Sequence, residues 1–224
     1  MLTNKRYIKI CGIYLVISFL ACVLVAYRAI LFGESAYAFL VWNLFLAWIP
    51  FALAGLMNFL YLRYRGALGF LLTIPVCIFW LLFFPNALNM LTLYSGTVFS
   101  ISSGVSLKEW YDFIMFSLII LEGFLLGFVS LRIVQNIVHK VLNTFWSWVF
   151  VVFVCFTSGY AIYLGRFIRL NSWDIWKAPW HFFKAVWASG NSDTFGFVLM
   201  FAAFLFFIYW GFITAANIGK ENSR

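Results

Sequence analysis

Six long runs of apolar residues constrain the fold of this chain more than any other feature. A helix needs about 20 mostly apolar residues to cross the hydrocarbon core of a bilayer. Irregular backbone cannot face lipid, so the segments between runs must lie at the interfaces or fold back into protein. The sequence therefore predicts an all-α, polytopic protein in which residues 1–224 form a single transmembrane domain. Its predicted spans are about 8–27, 37–60, 67–84, 111–131, 145–165 and 195–217.

The composition agrees with a membrane protein. Hydrophobic residues make up 65% of the chain, whereas an ordinary soluble domain is about 45–50% apolar. Only 10% of the residues are charged, which leaves no room for a large soluble domain. The net charge of +8 lies in short segments between the apolar runs, as topology signals do. We therefore expect membrane lipids as partners and no binding to nucleic acid.

The distribution of Lys and Arg predicts the orientation. Cytoplasmic segments carry an excess of these residues, and nine of them fall on one side of the predicted spans against six on the other. The larger set is Lys5, Arg6, Lys9, Arg63, Arg65, Arg132, Lys140, Lys220 and Arg224. The smaller set is Arg28, Lys108, Arg166, Arg169, Lys177 and Lys184. The sequence thus predicts a cell-membrane protein with both termini in the cytoplasm.

The long outer segment between the fifth and sixth runs is not loop-like. On a helix over residues 173–188, the aromatic residues fall on one face and the charged ones on an adjacent stripe, which is typical of a helix lying in the membrane interface. Ser172 is a suitable N-cap, and Pro179 must kink this helix or start a second short one. Simple anchoring by interfacial tryptophan is the alternative role. The aromatic face contains Trp173, Trp176, Trp180, Phe183 and Trp187.

Metal or cofactor chemistry has little support in the sequence. Each of the four cysteines lies inside an apolar run without a CxxC pair, so they are predicted to be small buried hydrophobic residues. The two histidines, His139 and His181, are far apart in sequence. We expect no metal site and no cofactor.

Glu122 lies near the middle of the fourth run, where a carboxylate is costly and indicates function by default. It could relay protons or hold a cation. Alternatively, it is protonated, or it is hydrogen-bonded to a neighbouring helix by a donor such as Asn43 or Asn58. Gly123 and Gly127 form a small-xxx-small pattern that lets another helix approach closely.

Two groups of polar residues lie at the outer ends of the third and fifth runs. Pro85 is predicted to end the third helix, and Asn86 follows it, where an amide can bind a head group or cap a turn. Arg166 and Arg169 are one turn apart at the end of the fifth run. Two guanidinium groups on one face suit a phosphate or carboxylate; snorkelling of the arginines to the interface is the alternative.

Three segments resemble a bacterial membrane family described as domain of unknown function 1361. The resemblance extends over roughly residues 40–215, and its most specific part is the last segment, in which Gly-Arg precedes Asn-Ser-Trp-Asp. The resemblance implies a helical membrane fold and no mechanism. The segments are Phe84–Ala87, Glu109–Asp112 with the following span to Arg132, and Tyr163–Arg166 through Asn171–Asp174.

The chain departs from the family pattern after Pro85. The family continues its Pro-Asn motif with Pro-Tyr and then Thr-Asp, whereas this chain has Leu88-Asn89 and then Thr92-Leu93. An expected acidic residue is missing, so any activity that needs it would be lost or moved.

The motifs and the predicted topology together place six polar residues at the outer face, where they could line one pocket. The favoured function is a binding or accessory protein whose outward-facing site holds an anionic lipid head group or envelope polymer. One alternative is a small-solute or proton-coupled transporter that uses Glu122. Another is an enzyme on lipid-linked substrates, which is the least favoured because no catalytic motif is present. The six residues are Asn86, Asp112, Arg166, Arg169, Asn171 and Asp174.

Overall fold

The structure of the chain is a computed structural model. It describes residues 4–33, 37–64, 67–96, 106–170 and 177–221. All regular elements in these ranges are helices. The α-helices are α1 (Asn4–Phe32), α2 (Ala38–Arg63), α3 (Ala67–Asn89), α4 (Leu107–Val141), α5 (Thr144–Tyr163), α6 (Pro179–Ala188) and α7 (Ser192–Glu221). A 3₁₀ helix, Met90–Gly96, follows α3, and a π-helical turn, Leu164–Ile168, follows α5.

Six helices of the described ranges, all except α6, are long and apolar enough to cross a membrane. This confirms the predicted all-α, multi-pass architecture. The helices extend beyond several of the predicted apolar runs, most of all α4, which has 35 residues. The extra turns contain charged and polar residues at the ends of the spans. Hydropathy alone does not show that the helix continues through such residues.

The chain divides into two compact units, Met1–Val134 and Gln135–Arg224, with the division inside α4. Unit 1 contains α1, α2, α3 and most of α4. Phe51 belongs to its buried core, and the rings of Tyr7 and Phe51 stack with centroids 5.1 Å apart, joining α1 to α2. Helix α2 also packs along α3. The prediction of a single transmembrane domain stays a prediction.

Helices α3 and α4 pack closely within unit 1. A Cβ atom added at Gly123 would lie 3.0 Å from the backbone oxygen of Ala87, and one added at Gly127 would lie 3.3 Å from the Ala87 Cβ. The same contact includes a hydrogen bond of 3.2 Å from Trp80 Nε1 to Ser130 Oγ. The prediction that the two glycines admit a close neighbour is therefore confirmed, and that neighbour is α3.

The prediction that Pro85 ends the third helix is wrong. Pro85 is buried inside α3, which continues to Asn89 before the chain tightens into the 3₁₀ helix. Membrane helices tolerate proline because neighbouring helices and side chains satisfy the freed backbone groups. The change of helix type occurs at Asn89, whose side-chain oxygen accepts a hydrogen bond of 2.9 Å from the Thr92 hydroxyl.

Unit 2 is built on the contact between α5 and α7. A Cβ atom added at Gly159 would lie 3.0 Å from the backbone oxygen of Val198, so glycine allows these helices to approach to backbone distance. Helix α6 is joined to α5 at one end, where the Tyr160 hydroxyl donates to the backbone oxygen of Val186 at 2.9 Å.

Helix α6 begins at Pro179, so this proline starts a separate short helix, the second of the two predicted alternatives. Proline suits the first turn of a helix because its missing N–H would have no intrahelical partner there. Trp180 and Trp187 are 83% and 90% exposed. Residues 171–176, with the predicted N-cap Ser172, lie outside the described residues, and the interfacial position of α6 stays a prediction.

Candidate functional site

Polar contacts follow the line along which α1 and α4 meet in unit 1. The two helices run antiparallel, because residues that are later in α1 contact residues that are earlier in α4. The contacts join Ser18 to Glu122, Leu24 to Tyr111, and Arg28 to Asp112.

The Arg28–Asp112 contact is a buried ion pair. Arg28 Nε and the Nη2 nitrogen donate to the two carboxylate oxygens of Asp112 at 3.0 and 3.2 Å. Arg28 is only 1% exposed, and its guanidinium carbon lies 4.2 Å from the ring centroid of Tyr37. The guanidinium is thus held by a two-point hydrogen bond and a cation–π contact, and Asp112 has its charge partner within the fold.

The N-terminus of α4 explains how Asp112 is held in place. Ser106 and Glu109 form a capping box: the backbone N–H of Ser106 donates to Glu109 Oε2 at 2.7 Å, and the Glu109 N–H donates to Ser106 Oγ at 3.3 Å. Such a pair satisfies two backbone donors that the helix leaves unpaired. Glu109 therefore fixes the start of α4 one turn before Asp112.

Glu122 lies deeper in unit 1 than the ion pair. Ser18 precedes Arg28 by ten residues on α1, and Glu122 follows Asp112 by ten residues on α4. At 1.5 Å per residue, both helices give a separation of about 15 Å. That is about half of the hydrocarbon thickness of a bilayer. If the ion pair lies at one interface, Glu122 lies near the membrane centre.

A short chain of hydrogen bonds ends at Glu122. Trp48 Nε1 on α2 donates to Ser18 Oγ at 2.9 Å, and Ser18 Oγ donates to Glu122 Oε1 at 2.5 Å. Glu122 is 2% exposed, and its Oε2 atom has no hydrogen-bond partner within the described residues. The donor differs from those predicted, since it comes from α1 and the amide of Asn43 instead donates to Phe39 O in its own helix.

In unit 2, the two arginines predicted to bind an anion lie at a π-helical turn that ends in a left-handed residue. Both Arg166 and Arg169 are exposed. Arg166 lies within the π-helical turn, and Arg169 follows it in the left-handed conformation with φ of 61°. The Leu170 N–H reaches back to Leu164 O at 3.1 Å. Single π turns and left-handed non-glycine residues occur often at functional sites.

The six predicted pocket residues are distributed over both units. Asn86 is half-buried in unit 1, and its side-chain nitrogen donates to Phe83 O in its own helix at 3.2 Å. Asp112 belongs to unit 1, and Arg166 and Arg169 belong to unit 2. Asn171 and Asp174 lie outside the described residues. The convergence of the six on one pocket stays a prediction.

Three residues of the buried polar contacts were not identified from the sequence. The sequence predicts Arg28 only as a charge that helps to set the orientation in the membrane. Ser18 and Trp48 lie inside apolar runs, where nothing in the pattern distinguishes them. The one available signal is positional: a cation near the end of the first span, Arg28, can pair with an acid near the start of a later antiparallel span, Asp112. Among the described residues, no group of three His, Cys, Asp or Glu side chains is arranged to hold a metal ion.

The helices and their buried polar contacts define a multi-pass helical membrane protein. A family model described as Protein of unknown function (DUF1361) matches residues 42–208. The chain belongs to this family, as the sequence motifs predicted. The matched range includes Trp48, Asp112, Glu122, Arg166 and Arg169, whereas α1 precedes it. No curated protein and no solved structure matches the chain.

Proposed function

We propose that this protein binds an anionic group, phosphate or carboxylate, at one membrane face through Arg166 and Arg169. The ligand is an anionic lipid head group or an anionic envelope polymer. The observation that carries the proposal is the pair of exposed guanidinium groups on the π-helical turn and its left-handed end. Guanidinium groups are planar donors that match phosphate and carboxylate oxygens bidentately.

The backbone at Arg169 supports a binding role. A non-glycine residue in the left-handed region costs of order 1–3 kcal/mol and persists only when its surroundings fix it. Here the fixed contact is the hydrogen bond that closes the turn at Leu164. The turn therefore holds the Arg169 backbone in one orientation, which lowers the entropy lost when an anion is bound.

The neighbouring helix α6 supports a membrane-surface ligand. Lys177 and Lys184 are exposed, and Trp180 and Trp187 are among the most exposed aromatic residues of the described chain. Lysine next to exposed tryptophan is typical of segments that lie on anionic lipid. The contact of Tyr160 with Val186 keeps α6 beside the same end of α5.

The test compares ligands in detergent solution. Binding of short-chain phosphatidylglycerol, short-chain phosphatidylcholine and a glycerol-phosphate oligomer is measured by thermophoresis at low and high salt. We expect phosphatidylglycerol to bind at least about tenfold more tightly than phosphatidylcholine, and more weakly at high salt because exposed charges are screened. Preference for the soluble oligomer would assign the site to a polymer instead of a lipid.

Two variants distinguish binding at Arg166 and Arg169 from non-specific attraction of the anion to positive charge elsewhere on the protein. Arg166→Gln with Arg169→Gln should weaken phosphatidylglycerol binding about 10- to 100-fold, because two solvent-screened guanidinium contacts together contribute about 1.5–3 kcal/mol. Lys5→Gln with Lys9→Gln removes the same charge from two exposed residues of α1 and should change it less than about twofold. Equal binding by the arginine variant and the wild type would refute the proposal.

A second candidate function is a proton-coupled transporter that uses Glu122. The specific observation in its favour is that Glu122 is buried with one oxygen unpartnered among the described residues. An intramembrane carboxyl group of this kind is typical of proton relays. Proton flux into proteoliposomes, driven by a potassium diffusion potential and measured with an internal pH dye, should be lost in Glu122→Gln. Equal flux in both proteins would exclude this candidate.

A further inference from the structure

We propose that Glu122 carries a reversibly bound proton on its Oε2 atom, in a site completed by Ser18 and Trp48. The inference rests on the residue of the second candidate function and specifies its ligand and the atom that holds it. It concerns unit 1 alone and is independent of anion binding by Arg166 and Arg169.

The directions of the hydrogen bonds assign the proton to one oxygen. The indole nitrogen of Trp48 can only donate, so Ser18 Oγ accepts from it. The single hydroxyl proton of Ser18 is then free for Glu122 Oε1. Because Oε1 accepts from Ser18 in this arrangement, a proton that adds to Oε2 leaves both hydrogen bonds in place.

The surroundings of Oε2 favour the neutral form. Glu122 is 2% exposed, and Oε2 meets no hydrogen-bond donor within the described residues. An ionised carboxylate would therefore hold charge on an oxygen to which no described residue donates, which is expensive in the membrane interior. A proton removes that charge, and the unpaired O–H group that results costs much less than the charge.

The groups around Glu122 do not supply a compensating cation. On α1, the titratable neighbours are Tyr14 and Cys22, both close enough to interact with the carboxyl group. Helix α2 contributes Trp48. Ala87 of α3 and Met90 of the 3₁₀ helix lie beside the adjacent Gly123. No Lys, Arg or His of the described chain forms an ion pair with Glu122.

A second Trp–Ser pair provides a matched comparison. Trp80 Nε1 donates to Ser130 Oγ on α4 at 3.2 Å, and Ser130 Oγ donates to Gly127 O at 2.7 Å. The arrangement repeats that of Trp48 and Ser18, except that it ends on a backbone carbonyl instead of a carboxyl group. Ser130→Ala therefore removes a serine that also links a tryptophan to an acceptor, without touching Glu122.

The experiment is infrared spectroscopy of the full chain in lipid bilayers, with the spectrum of Glu122→Gln subtracted from that of the wild type. At about pH 7 we expect the carbonyl band of a protonated carboxyl group, shifted in deuterated buffer. It should be at least tenfold smaller at about pH 10, when the proton is released. Absence of the band at about pH 7 would show an ionised Glu122 and overturn the proposal. An unchanged band at about pH 10 would show a fixed proton and overturn it as well.

Ser18→Ala tests the role of Ser18 as a positioning residue. Loss of a donor to the carboxylate disfavours the charged form, so the band should persist to higher pH than in the wild type. In Ser130→Ala the band should follow the wild-type titration. A Ser18→Ala titration identical to the wild type would contradict the assigned hydrogen-bond chain.

Chemical modification gives a second readout. A lipid-soluble carbodiimide accepts the proton of a neutral carboxyl group on nitrogen while the carboxylate oxygen adds to its central carbon. The acyl group then migrates from oxygen to nitrogen and forms a stable N-acylurea, so the whole reagent is retained. We expect at least tenfold more reagent mass on the peptide containing Glu122 at about pH 7 than at about pH 10; equal labelling would overturn the proposal.

The outcome for the site is separable from the outcome for transport. A reversible carboxyl band, with equal proton flux in the wild type and Glu122→Gln, would support the proton site and exclude the transporter. Proton flux that is lost in Glu122→Gln, without a titrating band at Glu122, would support the transporter and overturn the proton site.

Discussion

Replacement of Asp112 by Asn isolates the energetic role of the buried ion pair. The variant keeps nearly the same shape but removes the negative charge that faces Arg28 at 3.0 Å. Arg28 is 1% exposed, so its guanidinium cannot turn to water without local unfolding. Removal of one partner of a buried ion pair costs about 3–5 kcal/mol, because the remaining buried charge loses an opposite charge.

That free energy converts into a large change in melting temperature. For a chain of this size, about 1 kcal/mol corresponds to roughly 2–4 °C, so Asp112→Asn should lower the midpoint by about 6–20 °C. The assay is thermal unfolding in detergent followed by intrinsic fluorescence. Because membrane proteins often unfold irreversibly, all variants need the same heating rate.

Two further variants test the reasoning. Glu109→Gln removes a nearby carboxylate but keeps an acceptor for the capping box, so its midpoint should stay within about 2 °C of the wild type. Arg28→Met combined with Asp112→Asn removes both charges and should be less destabilised than Asp112→Asn alone. An Asp112→Asn midpoint within about 2 °C of the wild type, or a double variant less stable than the single one, would refute the argument.

Two other predictions concern unit 2. Gly159→Leu places a side chain where a Cβ would lie 3.0 Å from Val198 O. It should therefore destabilise by about 1–3 kcal/mol, whereas Gly211→Leu should have little effect since nothing lies within 4 Å of its Cβ position. Asn143→Ala removes the side-chain acceptor of the Trp146 N–H (3.0 Å) and should cost about 1 kcal/mol, while Asn143→Ser should retain the cap. Both pairs can be compared by thermal unfolding; equal midpoints within either pair would contradict the reasoning.

The spans were predictable because length and hydropathy are local properties of the chain. Each predicted run lies inside or close to one helix of the structure. The prediction that Pro85 ends the third helix is wrong because the helix-breaking rule assumes that water satisfies the backbone groups freed by proline. Inside a bundle, those groups find other partners, and α3 passes through Pro85 to the switch at Asn89.

The candidate sites were predictable only in part. A carboxylate in an apolar run is conspicuous, so the sequence predicts Glu122 as a candidate, but the predicted donors are asparagines of α2 and the observed donor is Ser18 of α1. Serine is common in membrane helices, so Ser18 carried no distinctive signal. Arg28 and Asp112 are 84 residues apart, and no local pattern links them. Tertiary pairing between distant helices is what sequence periodicity cannot encode.

The separation of Arg28 from Asp112 also affects how the protein is made. Arg28 leaves the ribosome before Asp112, and at about 5–20 residues per second a separation of 84 residues corresponds to roughly 4–17 s. During that interval Asp112 is not yet present for the Arg28 guanidinium, whose long side chain can extend to the head-group region and stay hydrated. The α1–α4 contact through this ion pair is therefore a late event in biogenesis.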